Sequence, residues 1–487
     1  MVTTWSRAAR LPMSISLKHI SLAIGALIGL LVFVAIALRL FLDVDTFKPR
    51  FEAAASGALG MEVSVGGRLG VGFFPALLVT LQDVHIRNLG AEVASARQVR
   101  LGIDFLPLLH REIRIEKIAL EHPRISIEMG SDGRFNFENP AQAGGTLPAL
   151  NLGKISLSDG ILVYEDKRTK EGFEAGDCRL EASSLQISRR DRPGILKNLT
   201  FAAEVACGKI GTKDYPASDL KLSVAGKNGV FDLKPVTLRL FGGQGSGSIR
   251  ADFAGAVPLY QVRYSLRRFR IEEYFKTRSP QKVAAGSMDF SANLSMQGST
   301  MHELRQSAQG QMSLRGRNLI LDGRDLDREF ARFESSQNFS LVDAGAYFFT
   351  GPLGLVVTKG YDFGRIFQGS GGRSEIRTLV SDWQVDHGVA QARDVAMATN
   401  ENRVALHGAL DFVNERFDDV TMALIDARGC ATVKQKISGS FQKPVVEKPG
   451  TLKSISGPVL KLLRQVKKLF PGGECEVFYA GSVAPPK

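Results

Sequence analysis

The residues that most often carry chemistry are sparse in this chain, and their spacing matches no common catalytic motif. The 487 residues include four cysteines, none in a CxxC pair, and seven dispersed histidines, so we expect no zinc site. No Walker-type loop, HExxH or GxSxG sequence occurs. Adjacent carboxylates such as Asp418-Asp419 have turn spacing and indicate no acid–base pair. We therefore expect a protein that is not an enzyme and that uses no metal or cofactor.

One glycine-rich run, FGGQGSG from Phe241 to Gly247, has the composition of a phosphate-binding loop. Such a loop needs a helix directly after it, because the helix N-terminus presents its amides to the phosphate. No helical pattern follows this run. We interpret it as a connection between two strands.

The four cysteines allow disulfide bonds if the chain is exported to an oxidising compartment. A bond between Cys430 and Cys475 would close a loop of about 46 residues, worth roughly 4 kcal/mol in the chain-entropy model. Buried free thiols are the alternative for this pair. That alternative is stronger for Cys178 and Cys207.

The composition is that of a folded protein, with 44% hydrophobic and 23% charged residues. The net charge of +12 allows contact with nucleic acid or anionic lipid. Arginine and lysine are scattered singly along alternating segments and form no cluster with exposed aromatic residues. We therefore expect no nucleic-acid partner.

The cysteines, histidines and carboxylates are positioned by the elements that the rest of the chain forms. The first of these elements is a long apolar stretch near the start of the sequence. Residues 20–38 are almost entirely hydrocarbon, and at ~1.5 Å per residue they approach the ~30 Å of a bilayer core. We predict a transmembrane helix over residues 20–42. A cleaved signal peptide and a buried core helix are the alternatives, but the apolar run of a signal peptide is only ~7–15 residues long. Basic residues are equally frequent on both sides, so they indicate no orientation. Apolar positions of the predicted span include Ile20, Leu27, Leu31 and Leu38.

A short helix ending near Gly60 is predicted next, and then the apolar period changes from 3.6 to 2. Strand-like alternation continues through most of the chain, with a turn predicted at Ser158-Asp159-Gly160 and brief helices at residues 300–306 and 325–334. No strand–helix–strand rhythm is present, so an antiparallel sheet is expected. The candidate residues on its apolar face are Val63, Val65, Val79, Leu81, Ile113, Ile115, Ile118, Leu120, Ile125, Ile127, Ile155 and Leu157.

A long sheet with one apolar face must hide that face from water. It can do so as one or more β-sandwiches with dry cores. It can also curl into a groove that stays open and accepts hydrocarbon chains. Periodicity alone favours the sandwich and leaves both possibilities open.

A basic amphipathic helix is predicted near the end, over residues 452–470. It could lie on an anionic membrane surface or cap the end of the sheet, and flanking cysteines favour the cap. Pro471 and the two glycines after it end the helix. Its two faces are represented by apolar Ile455, Val459 and Leu462 and by basic Lys461, Arg464 and Lys467.

A series of short motifs occurs along the chain at residues 60–63, Gly67, Pro75, 77–79, 81–84, 106–109, 123–125, 132–137, Asp159-Gly160, Tyr164, Asp166, 310–325, Cys430, Gly439, Pro444, Cys475, Tyr479 and Gly481. In this order the motifs resemble those of the AsmA family of bacterial envelope proteins. The family pattern begins with a membrane anchor and a short helix, and continues with glycine-, proline- and leucine-containing strand elements. The shared order of the motifs is fairly specific.

This resemblance implies an inner-membrane protein with a cytoplasmic N-terminus and a periplasmic body. It also implies a curled, mostly antiparallel sheet with an elongated apolar groove, similar to bridge-like lipid-transfer proteins, and it makes the groove the favoured reading. An oxidising periplasm strengthens the expected Cys430–Cys475 bond. The expected regions are a cytoplasmic segment 1–19, the transmembrane helix 20–42, an N-terminal β region 43–140, a middle β region 149–280, a C-terminal β region 281–450 and a tail with the amphipathic helix, 451–487.

The function implied by the resemblance is binding or conduction of phospholipid, in support of transport to the outer membrane and of its integrity. The partners would be membrane phospholipid, the inner membrane and an envelope protein or second copy of the chain. A non-catalytic β-sandwich scaffold for outer-membrane protein assembly is the alternative. A third hypothesis is an anchored enzyme with an unrecognised site.

Overall fold

The structure is a computed structural model that describes most of the chain between Lys48 and Pro486. It is mainly β, with few helices. The predicted transmembrane and C-terminal amphipathic helices lie outside the described residues. Within those residues, the structure contains no helix with the length and apolar character needed to cross a membrane. The described ranges are 48–72, 77–104, 115–132, 134–137, 150–168, 170–187, 195–212, 216–276, 284–336, 371–447, 450–451 and 475–486.

The strands follow one another with short helices between some of them. The helices are α1 (Lys48–Leu59), α2 (Ile195–Asn198), α3 (Ile271–Lys276), α4 (Met301–Ser307) and α5 (Leu326–Ser336). The strands are β1 (Glu62–Val65), β2 (Leu69–Gly72), β3 (Leu77–Asn88), β4 (Ala91–Ile103), β5 (Ile115–Met129), β6 (Leu150–Asp166), β7 (Glu171–Ile187), β8 (Leu199–Thr212), β9 (Pro216–Lys227), β10 (Val230–Leu240), β11 (Gly243–Asp252), β12 (Leu259–Arg270), β13 (Ala284–Ala285), β14 (Ser287–Gln297), β15 (Gln309–Asp322), β16 (Arg373–Asp386), β17 (Val389–Ala398), β18 (Arg403–Asp411), β19 (Arg416–Ile425), β20 (Ala431–Ser440), β21 (Lys443–Val446) and β22 (Gly450–Thr451).

The chain divides into two compact units, and strand β5 crosses the division after Leu120. In the first unit α1 covers the free edge of β1. Val63 N–H donates to Ser56 Oγ at 2.8 Å, and Val65 N–H donates to Glu52 Oε1 at 2.7 Å. Because β1 pairs only with β3 among the described strands, these side chains satisfy amides that an open edge would expose. The predicted helix end is confirmed by Gly60, whose φ is 68°.

The second unit is built from successive antiparallel strands. From β6 to β12 each strand pairs with the next, and β12 then pairs with β14, because the short β13 pairs with β15. The same order continues from β14 to β21. This arrangement confirms the expectation of an antiparallel sheet.

One face of β12 to β20 carries the main buried core. Leu319, Ile376, Leu379 and Met422 each have 0% of their surface exposed, and α5 adds Phe330, which is equally buried. Helix α5 is held by its N-terminal backbone: Leu326 N–H donates to Ser374 Oγ at 2.7 Å.

The opposite face of β16 to β19 is covered by the C-terminal segment, residues 475–486. The sheet offers small side chains there, among them Ala396, Ala405 and Ala423 at 0% exposure. Small residues let the segment approach closely, so that Phe478 and Val483 are buried against the sheet. The buried Arg403 guanidinium donates from Nη1 to the carbonyl oxygen of Val483 at 2.8 Å.

Two disulfides are present, Cys178–Cys207 and Cys430–Cys475, with Cα–Cα distances of 4.1 and 6.0 Å. The first joins neighbouring strands β7 and β8. The second ties the C-terminal segment to the start of β20. Whether Cys178 and Cys207 pair was left open by the sequence, and the structure shows that they do.

Two local predictions are also wrong. Ser158-Asp159-Gly160 is not a turn, because β6 continues through it and Asp159 takes a φ of 52° at a β-bulge, a conformation that aspartate tolerates well. The glycine-rich run is not a connection, because only Phe241 and Gly242 form a turn and the glycines from Gly243 onward lie in β11. The two predicted helices are confirmed by α4, which Thr300 caps, and by α5.

Candidate functional site

The apolar face of the second unit contains a row of hydrophobic residues paired across neighbouring strands. This first row is almost uninterrupted and spans roughly 40 Å at about 4.8 Å per strand. It consists of Leu157, Leu180, Val205, Leu222, Val236, Gly247, Tyr264, Ala292, Met312 and Trp383.

A second row lies beside it on the same face, two residues away along most strands. The two rows together form a continuous apolar band because side chains at i and i+2 of a strand share a face. The second row consists of Ile155, Ala182, Ala203, Val224, Leu233, Ile249, Val262, Leu294, Gly310, Val385, Ala390, Leu410 and Phe417.

The solvent exposure of this band changes along its length. On β6 to β9 its large side chains are only partly buried, including Leu157, Leu180 and Leu222, whereas Val236 on β10 is buried. On β15 and later strands the same band is closed, with Trp383 at 3% and Leu410 at 1% exposure. The part on β6 to β10 is hereafter called the open apolar face. It is roughly 20 Å long, at ~4.8 Å per strand.

The other face of β6 to β11 carries the charges. Lys154 Nζ lies 2.9 Å from Glu181, and Arg250 Nη1 lies 2.8 Å from Asp232. All four side chains are exposed, so such pairs contribute little to stability. Their importance is that one face of this sheet is polar and the other is apolar. Among the described residues, the apolar side is less deeply buried here than from β12 onward.

The Cys178–Cys207 disulfide lies on the open apolar face. Both cysteines are buried, at 7% and 5% exposure, and aliphatic neighbours such as Leu157 and Val205 pack around them. A cross-strand bond at this place strengthens a sheet whose face carries a small packed cluster in place of a large core. It adds no charge to the surface.

Few groups near the band can take part in acid–base chemistry. Tyr264 lies in it, and burial raises the pKa of its hydroxyl. Among the described residues, no group of three or more histidine, cysteine, aspartate or glutamate side chains is placed to hold a metal ion. The geometry of this face therefore supports binding by hydrophobic contact.

The predicted apolar residues fall into different environments. Val63, Val65 and Leu81 are buried in the core of the first unit, and Val79, Ile118 and Leu120 pack against that core. On β5, residues Ile115, Ile125 and Ile127 are partly buried. Ile155 and Leu157 begin the two rows. The predicted residues outside the described part are Ile113, Ile20, Leu27, Leu31, Leu38, Ile455, Val459, Lys461, Leu462, Arg464 and Lys467.

Sequence reasoning missed the members of the face on β7 and β8. Alternation was visible there, but Ala182 and Ala203 are small and weaken the apolar signal. Bulges weaken it further, since the register of β6 and β7 shifts between Leu157 and Gly160. The signal that would have found them is the pair Cys178 and Cys207, because a disulfide between two neighbouring strands fixes their register.

A comparison with protein-family models matches the part of the sequence that contains the open apolar face. The model of the AsmA family matches residues 13–192 and 194–337, about two-thirds of the chain. The chain belongs to the AsmA family. The matched residues of this AsmA protein include all of the open apolar face, and they continue through residues 170–240, where the quoted motifs are thin. The motifs around Cys430 and Cys475 lie outside the match. A search of curated proteins finds no match.

Proposed function

We propose that this AsmA protein binds phospholipid through its acyl chains on the open apolar face, and that it supports lipid transport to the outer membrane and the integrity of that membrane. The observation that carries the proposal is the pair of aligned aliphatic rows on β6 to β10, in which most of the large side chains are left partly exposed. Monomeric soluble proteins rarely leave large contiguous apolar patches uncovered, and such patches mark binding sites. Membership of the AsmA family supports this class of ligand.

The energetics favour hydrocarbon over any polar ligand. Each methylene group moved from water onto the face contributes ~0.8 kcal/mol, so an acyl chain of ordinary length gains several kcal/mol after its ordering cost. The band offers no charged side chain to a head group. We therefore propose that the acyl chain is recognised and the head group stays in water.

The cellular setting is part of the same proposal. Residues 20–42 would hold the protein in the inner membrane of a bacterial envelope, with the N-terminus in the cytoplasm and the body in the periplasm. The two disulfides support an oxidising compartment, because such bonds are rare where thiols are kept reduced. A curled sheet that forms a continuous groove, and a second copy or an envelope protein as partner, belong to this proposal as well.

A photochemical experiment tests the binding proposal. A photoreactive phenylalanine analogue is placed at Leu157 on the open apolar face, or at Lys154 on the charged face of the same strand, as the matched control. The full chain is irradiated with vesicles of phosphatidylethanolamine and phosphatidylglycerol, and cross-linked phospholipid is measured by mass spectrometry. We expect adducts at Leu157 and few at Lys154. Equal yields at both positions, or none at either, would refute the proposal.

A scaffold for outer-membrane protein assembly is the second candidate. The closed part of the band favours it, because strands β12 to β20 form a core as dry as that of a β-sandwich. Purified protein that carries no phospholipid by native mass spectrometry, together with no adduct at Leu157, would favour the scaffold over lipid binding.

A further inference from the structure

Strand β11 lies between the open apolar face and the strands on which Tyr264, Ala292 and Leu294 of the band pack against the main core. Three successive positions of β11 on the apolar face are glycine: Gly243, Gly245 and Gly247. A Cβ atom on Gly245 would overlap the hydroxyl of Tyr264, and one on Gly247 would lie 2.8 Å from ring atom Cδ2 of Tyr264. The phenol ring of β12 therefore occupies the space that side chains of β11 would otherwise fill.

The position of the ring is set by packing rather than by a hydrogen bond. Tyr264 pairs in register with Gly247, and its hydroxyl atom is buried with no hydrogen-bond partner. A buried hydroxyl without a partner is unfavourable, so phenylalanine would suit this environment better.

The ring also lies on the path along the first row. Before it the row is partly exposed at Leu157 and Leu222 and buried at Val236. After it Ala292 packs, partly buried, against the main core, and Met312 and Trp383 are buried in that core. A hydrocarbon chain lying along the row from β6 meets the edge of the Tyr264 ring after Val236.

We propose that Tyr264, lying on the β11 glycines, is the stop that ends the open apolar face and limits how far an acyl chain extends along it. This inference rests on the proposed function, since it names the residue that bounds the same face. The group that meets the ring is the methyl end of the acyl chain.

The experiment compares cross-linking on the two sides of the ring in the full chain. A photoreactive phenylalanine analogue is placed at Leu157, before the ring, or at Phe290 on β14, beyond it. The probe is again vesicles of phosphatidylethanolamine and phosphatidylglycerol. In the otherwise unchanged chain we expect adducts at Leu157 and roughly tenfold fewer at Phe290, because the last methylene groups find no burial beyond the ring.

Two variants test the stop, one by removing the Tyr264 ring and the other by displacing it. Tyr264→Ala removes the ring, and Gly245→Ala displaces it, because the new methyl group overlaps the hydroxyl position. Each is expected to raise the yield at Phe290 roughly tenfold by opening further apolar surface. Tyr264→Phe keeps the ring and leaves the yield unchanged. Tyr260→Ala is the matched control, because Tyr260 lies on the same face of β12 but packs edge to face on Phe253.

The outcomes separate the two proposals. Absence of adducts at Leu157 in the unchanged chain refutes the proposed function. Adducts at Leu157 together with equal adducts at Phe290 refute only the stop. An unchanged yield at Phe290 in the folded Gly245→Ala variant also refutes the stop, and that variant decides the matter where Tyr264→Ala fails to fold.

Discussion

The hydroxyl of Tyr479 donates a hydrogen bond of 2.5 Å to Oδ1 of Asp394, which joins the C-terminal segment to strand β17. The same hydroxyl accepts a bond of 3.0 Å from the backbone N–H of Val483. Burial raises the pKa of Tyr479, and the bond to Asp394 raises it further. The phenol therefore stays protonated at physiological pH and serves as donor and acceptor at once.

We expect Tyr479→Phe to loosen the C-terminal segment without unfolding the sheet. The variant leaves the Asp394 carboxylate and the Val483 amide without this partner, a loss of about 1–3 kcal/mol. Amide exchange of residues 475–486 should become faster, while exchange in β6 to β10 stays the same. Tyr260→Phe serves as the control, because Tyr260 lies outside this contact. Equal protection of the segment in both variants would contradict the expected role of the hydroxyl.

The attachment of the same segment should weaken in mild acid. The His407 ring stacks on Phe478 with centroids 4.3 Å apart, close to Lys434, which itself lies 3.7 Å from Glu476. Burial, and then the Lys434 charge, lowers the pKa of His407 in the folded protein. The unfolded chain, with a pKa of ~6.5, thus takes up a proton before the folded one. The stability contribution is present above pH ~6.5 and is lost as pH falls through the folded value.

The measurement for His407 is amide exchange of residues 475–486 between pH 8 and pH 5, corrected for intrinsic exchange rates. His407→Phe keeps an aromatic ring against Phe478 but cannot be protonated, so the loss of protection in acid should shrink. His302→Gln, on the surface of α4, is the control. The same acid dependence in His407→Phe as in the unchanged chain would rule out this histidine as its source.

Removal of the Cys178–Cys207 bond should destabilise the open apolar face. The bond closes a loop of about 30 residues, worth roughly 4 kcal/mol in the chain-entropy model. The double variant with both cysteines changed to alanine should lose amide protection in β7 and β8. The corresponding Cys430 and Cys475 double variant is the reciprocal control, expected to affect residues 475–486. Loss of protection in the same region by both variants would show that the bonds do not act locally.

Much of the fold could be predicted because period-2 alternation is strong over most strands. The terminal capping residues of α4, Thr300 and Glu303, were equally readable, since they form a capping box. Strand β11 was missed for a physical reason. Its apolar-face positions Gly243, Gly245 and Gly247 carry no side chain, so the alternation that marks a strand is absent, although the backbone pairs normally with β10 and β12.

The candidate site was less predictable than the strands. The alternation predicts that the strands of Ile155 and Val63 each have one apolar face, but it does not indicate what covers that face. Val63 is covered in the first unit, where Phe51 of α1 packs against the same core, whereas Ile155 stays partly exposed. That difference arises from contacts between elements distant in sequence. The bulge at Asp159 also resembles a turn in sequence, because both need a residue that tolerates positive φ.

Helix α1 should be needed to close the edge of β1. Glu52→Ala removes the acceptor of the Val65 N–H, and since Val65 is only 2% exposed we expect a loss of about 1–3 kcal/mol. Glu52→Gln keeps an amide oxygen in the same place and should retain most of the stability. The measurement is amide exchange at Val65 in the two variants. Similar rapid exchange in both would show that the carboxylate charge matters and the hydrogen bond does not.

A carboxylate introduced by mutation should be tolerated on the open apolar face and should destabilise the closed core. Leu180→Asp places a carboxylate among partly exposed side chains, where it stays hydrated, so the fold should survive. Displacing two or three methylene groups from the face costs about 2 kcal/mol, or roughly 30-fold in phospholipid affinity. Leu314→Asp lies in the core at 4% exposure and should destabilise by several kcal/mol, because a buried carboxylate lacks a partner there.

The readout for this pair is phospholipid retained after purification, measured beside the thermal unfolding midpoint. Arg179→Asp introduces the same charge on the polar face of β7, next to Leu180, and should change neither quantity much. Unfolding of Leu180→Asp as complete as that of Leu314→Asp would mean that the face on β6 to β10 is packed like a core. Full retention of phospholipid by a folded Leu180→Asp would place the lipid elsewhere, because a hydrocarbon chain lying on the first row cannot avoid that carboxylate.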